Sequence, residues 1–105
     1  IDIWLTPTLR VEPPLVSQFS PDSNFSEMQR AQNHDLMTYT AFVNALGGPA
    51  MSVPLGWSTE TGLPTGSHFS AAPGADKLLY ELAFELEEAR PWRNRWAPYS
   101  AEYEI

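Results

Sequence analysis

The sequence predicts an α/β chain in which a few strands are flanked by helices. Three observations carry that expectation. Ile1, Ile3 and Leu5 alternate with Asp2 and Trp4; two short strand-like runs, 50–56 and 65–71, are separated by polar, turn-rich residues; and residues 74–90 repeat leucine and alanine at helical spacing.

Residues 1–8 form a strand and turn. Thr6-Pro7-Thr8 stops the strand, because proline cannot donate to a ladder and holds its predecessor extended. Residues 9–24, with Pro13, Pro14 and Pro21, predict an irregular excursion of the kind that runs over a surface or a cleft. Residues 25–47 are helical, with Ser23 or Ser26 as the expected N-cap. Thr38-Tyr39-Thr40 is a weak point, so a break or a second short helix over 39–46 is expected. Gly47-Gly48 supplies a left-handed cap, and Pro49 prevents the helix from continuing.

The run 50–56 predicts a buried strand, ended by Pro54 and Gly56, with 65–71 as its antiparallel neighbour. Leu78, Leu79, Leu82, Ala83, Leu86 and Ala89 share one face of the helix over 74–90, which Pro91 ends. Residues 91–105 are an aromatic-containing tail in which Arg90, Trp92, Arg93 and Trp96 are expected to dock against the body.

A chain of 105 residues with 43% apolar content has room for one domain with a folded core. The formal charge is -7 with six Lys plus Arg, so no basic face can be assembled for nucleic acid or an anionic membrane surface. No apolar run approaches the ~18 residues of a membrane span. The absence of cysteine rules out a disulfide framework and fits a cytoplasmic protein. Opening in mid-strand, without an initiator Met or a signal-peptide pattern, the chain is expected to be a fragment of something longer.

Chemistry-bearing patterns are few. Gly47-Gly48 lacks the strand–loop–helix order and the lysine of a phosphate cradle. His34 and Asp35, adjacent on a helix, point about 100° apart and are not expected to pair. His68 faces away from Ser67, and neither histidine lies in a nucleophile motif. No metal-ligand spacing occurs, so neither a metal nor any other cofactor is expected.

The order of motifs resembles the C-terminal portion of the amidase signature family, serine hydrolases of carboxamide bonds. The matching residues are Thr6-Pro7-Thr8, then Thr40, Asn44, Gly47 and Pro49, then Ser52-Val53-Pro54 and Gly56, then Gly62-Leu63-Pro64 and Gly66, then the leucine helix and Pro91-Trp92. Two departures stand out: His68 replaces a common Gln, and Met37 stands where the glutamine amidotransferase branch often carries Asp. The resemblance implies a partial amidase-signature fold, a few strands of a larger mixed sheet. It also implies a Ser–Ser–Lys catalytic set in a Gly/Ser-rich segment, which this chain lacks; its one lysine, Lys77, lies on the leucine helix. No catalytic residue is therefore assigned, and the chain by itself is expected to be inactive.

The resulting expectation is a segment that completes the sheet of an amidase and lines its substrate cleft. Thr6, Thr40 and Asn44 are the cleft candidates, with Gly47, Gly48, Pro49, Pro54, Gly56, Gly62, Pro64 and Gly66 as its structural motif. Its partners would be the upstream catalytic part of the same amidase, or a second copy, and a small amide substrate. A non-catalytic binding module derived from the fold is the alternative.

Overall fold

A computed structural model describes residues 1–98 and Ser100. In chain order the elements are β1 (Ile3–Pro7), a 3-10 turn (Val16–Phe19), α1 (Phe25–Arg30) continuing as a π-helical turn (Ala31–Leu36), α2 (Thr40–Leu46), β2 (Ala50–Trp57), β3 (Pro64–Ala71) and α3 (Asp76–Ala89). The expected tail over 91–105 lies outside the described residues at Tyr99 and 101–105.

The three strands form one antiparallel sheet in the order β1-β3-β2. β2 and β3 are a hairpin, and β1 adds across the far side of β3. The run 50–56, expected to be a buried strand, is instead an edge strand in which Val53 is buried while Ala50 and Ser52 are exposed. Its proline shows how the edge is tolerated. Ala71 N–H bonds the Pro49 carbonyl, and pairs alternate along an antiparallel ladder. The Pro54 nitrogen, opposite Gly66, therefore points away from β3, and no ladder bond is lost. Leu55 is then the extra residue of a bulge, since Pro54 faces Gly66 and Gly56 faces Thr65.

The core lies between the sheet and α3. Val53, Phe69 and Leu79 are buried, with Ile3, Met51, Leu55, Ala71, Leu82, Leu86 and Trp92 packed around them. Of the expected helix face, Leu79, Leu82, Ala83 and Leu86 turn inward, whereas Leu78 and Ala89 are exposed.

Asn24, rather than Ser23 or Ser26, caps α1, its Oδ1 accepting the Glu27 N–H at 3.2 Å. The break near 38 occurs as expected, with α2 starting at Thr40 and ending on Gly47 at φ 70°. The tail docks through Trp92 against the core and through Arg95, whose guanidinium stacks 3.9 Å from the Trp57 ring centroid. Among the described residues no helix is long and apolar enough to cross a membrane.

Candidate functional site

Side chains on a strand alternate between faces, so the register sorts the sheet into two surfaces. Ile3, Leu5, Met51, Val53 and Phe69 occupy the α3 side. Trp4, Thr6, Ser52, His68 and Ser70 occupy the opposite side, where Thr8 continues the β1 series. This second face is polar, and it brings together residues from three separate motifs.

Thr6 and Ser52 both stand directly opposite His68. Thr6 Oγ1 lies 3.2 Å from His68 Nδ1. One step along, the Thr8 and Ser52 hydroxyls meet at 2.6 Å, from the two edge strands. They meet across Gly66: a Cβ built there would run into the Thr8 hydroxyl, and would stand 2.7 Å from Ser52 Oγ and 2.8 Å from Thr8 Cβ. The Gly of the Gly-Leu-Pro-X-Gly motif is thus the floor on which the other two motifs touch.

His68 is 6% exposed, and burial pushes its imidazole below the ordinary 6.5 by disfavouring the charged form. It is therefore neutral at pH 7. Its Nε2 makes no hydrogen bond among the described residues. Ser52 gives its hydroxyl contact to Thr8 rather than to this imidazole, and the Ser70 hydroxyl reaches the Trp4 carbonyl at 3.5 Å. No serine is bonded to a histidine base among the described residues, so the face has hydrogen-bonding capacity without an activated nucleophile.

Of the expected cleft residues, Thr6 is in this cluster. Thr40 is half-buried at the start of α2 and Asn44 is exposed one turn later; neither makes a side-chain hydrogen bond among the described residues. α2 sits beside the Trp4 end of the same face, where Trp4 and Phe42 meet edge-to-face at 5.3 Å and Val43 is buried. A cavity of about 280 Å³ opens there between Trp4, Val43, Leu46 and Ser70. Gly47 caps α2, and Gly48-Pro49 leads into β2. Pro54 and Gly56 flank the bulge, while Gly62 and Pro64 bring the chain back into β3. His68, Thr8 and Ser52 are motif or neighbouring residues in the sequence but not among the expected cleft residues, because the sequence does not show which strands are neighbours.

His34 and Asp35, not expected to pair, do so: His34 Nδ1 lies 2.9 Å from Asp35 Oδ1. Met37 N–H bonds the Gln32 carbonyl five residues back, closing a widened π turn that reduces the splay between neighbours. Arg10, which can only donate, places Nη1 2.9 Å from His34 Nε2, leaving Nδ1–H to donate to the carboxylate. The trio is exposed and anchors the start of the 9–24 loop, where Arg10 N–H also bonds the Asp35 carbonyl at 2.9 Å. Lys77 is exposed on α3, 3.5 Å from Glu81. No cluster of three metal-ligating side chains occurs among the described residues.

The Amidase family model matches residues 1–80. Over 101 residues the chain is 41% identical to a putative amidase, AmiC, of Mycobacterium tuberculosis, covering 96% of this chain and 21% of that protein. It is 33% identical over 91 residues to a fatty acid amide hydrolase of Arabidopsis thaliana, covering 87% of this chain and 14% of that one. The structure of a 6-aminohexanoate cyclic dimer hydrolase superposes with a TM-score of 0.73 at 30% identity, over 87% of this chain and 20% of that chain. The chain spans about a fifth or less of the length of these relatives.

Proposed function

The chain belongs to the amidase signature family, and from that premise we propose that it acts as the C-terminal segment of a hydrolase of carboxamide bonds. In this reading residues 1–105 are part of one amidase domain. They complete its sheet and line its cleft with Thr6, Thr40 and Asn44, in the cytoplasm. The partner is the upstream catalytic part of the same enzyme, and the substrate is a small amide.

The observation that carries the reading is the surface the chain leaves bare. Only Val43, Val53, Phe69 and Leu79 are buried apolar residues among those described. Trp4, Leu5, Phe42, Leu46 and Phe84 are left open to solvent. A surface of that kind fits a segment that belongs against a larger body better than an autonomous binding module. The convergence of three family motifs over Gly66 supports the same reading.

The experiment mixes the chain with a related amidase shortened to lack the matching segment, and follows light scattering and amide hydrolysis. The chain alone should not turn over amides, because among the described residues no nucleophile is bonded to a base that could activate it. The mixture should form a complex and gain activity. A well-folded monomer indifferent to the shortened amidase would favour the binding module instead.

A further inference from the structure

The strand β1 has the side chains of an interior strand but occupies an edge. Its register decides which backbone groups are unpaired. Thr8 N–H bonds the Gly66 carbonyl, so the pairs Thr6–His68 and Trp4–Ser70 are the hydrogen-bonded ones. The N–H and C=O of Ile3 and Leu5 therefore point outward, away from β3. Pro7 follows them on the same outward side, where its missing donor costs no bond within the sheet.

On the other edge the outward groups belong to Ala50 and Ser52, so backbone alone does not distinguish the two edges. The side chains do. α3 packs over β2 and β3. In the row Leu5–Phe69–Met51, Phe69 is buried, Met51 is half-buried and Leu5 is 59% exposed. On the opposite face Trp4 is 47% exposed, covered in part by Phe42 alone among the aromatic rings. β1 thus leaves a large apolar side chain exposed on each face, Leu5 on one and Trp4 on the other, whereas β2 shows solvent the small side chains of Ala50 and Ser52. A strand with exposed apolar side chains on both faces is suited to a position with a neighbour on each side.

We propose that the outer edge of β1, at Ile3 and Leu5, is a strand-addition site, and that its occupant is an extended, apolar segment of the body of an amidase. This rests on the function proposed above. The choice of occupant follows from the share of its relatives that the chain spans, a fifth or less, and from the surface it leaves uncovered. Main-chain bonds to Ile3 and Leu5 give the attachment, and apolar side chains flanking them cover Leu5 and Trp4.

Amide hydrogen exchange on the chain, alone and mixed with an amidase shortened to lack the matching segment, tests this without any substitution. Protection on the order of tenfold or more should appear at Ile3 and Leu5 in the mixture and not at Ala50 and Ser52. Leu5→Pro removes an outward donor and no bond within the sheet, and should abolish complex formation; Ala50→Pro, its counterpart on the other edge, should not. Complex formation with protection confined to Ala50 and Ser52 would overturn the edge assignment while leaving the proposed function standing. Complex formation abolished by Ala50→Pro but not by Leu5→Pro would do the same. No complex at all would sink the function itself, and with it this site. Protection of Ile3 and Leu5 in the chain alone, rising with its concentration, would make a second copy the occupant and refute the proposal.

Discussion

Replacing Gly66 by alanine tests whether the polar face is built as described. The glycine does not have a left-handed backbone, so the substitution carries no conformational penalty of that kind. Its cost is steric and local. The new methyl would collide with the Thr8 hydroxyl and stand 2.7 Å from Ser52 Oγ and 2.8 Å from Thr8 Cβ, with Ser52 fixed in β2 and Thr8 held just beyond β1 by its N–H bond to the Gly66 carbonyl. Forcing a methyl into a filled site costs roughly 1–3 kcal/mol. Separating the two hydroxyls loses a hydrogen bond worth about 0.5–1.5 kcal/mol. Together this predicts a loss of about 2–4 kcal/mol, or a fall in the thermal midpoint of roughly 10–20 °C for a chain of this length. The assay is thermal unfolding of the chain followed by circular dichroism. A double-mutant cycle sharpens it: in a Thr8→Gly, Ser52→Ala background the obstructing atoms are gone, and the cost of Gly66→Ala should shrink to within about 0.5 kcal/mol of zero. An unchanged midpoint for Gly66→Ala, or an undiminished cost in that background, would refute the packing of the three motifs over Gly66.

Three further outcomes are expected. Because burial lowers the His68 pKa, the unfolded chain takes up its proton first; stability is complete above 6.5 and falls as pH drops below it, and His68→Gln should flatten that slope in denaturant midpoints taken across the window. Gly47→Val should cost about 1–2 kcal/mol through its left-handed backbone, with Gly47→Asn recovering part of the loss, read from urea midpoints. Leu79→Ala removes the buried side chain that joins α3 to the sheet and should cost about 2–5 kcal/mol, whereas Phe84→Ala, at a position 71% exposed on the outer face of the same helix, should leave the midpoint of the isolated chain within about 0.5 kcal/mol.

Much of the chain was legible as sequence because it is governed by neighbours a few residues apart. Alternation at 1–5 pointed to a strand, which the structure places at Ile3–Pro7, running through the Thr6-Pro7 expected to stop it; the glycine after Leu46 gave a left-handed cap, and leucines at helical spacing gave α3 with most of its inward face. The motif order from Thr6-Pro7-Thr8 to Gly62-Leu63-Pro64 was enough to point to the amidase family. The tertiary structure decided what depends on distant partners. Thr6 meets His68 across 62 positions and Thr8 meets Ser52 across 44, and no local period encodes such pairs. The placement of β3 between its neighbours made 50–56 an edge rather than a buried strand, because an apolar run specifies burial but not which side of a ladder it joins. His34 and Asp35 pair because a π turn, pinned by Arg10 from a distant loop, replaces the regular helix that their spacing assumes. Short-range geometry fixes elements, while the choice of neighbours is made by register and by which surfaces find cover.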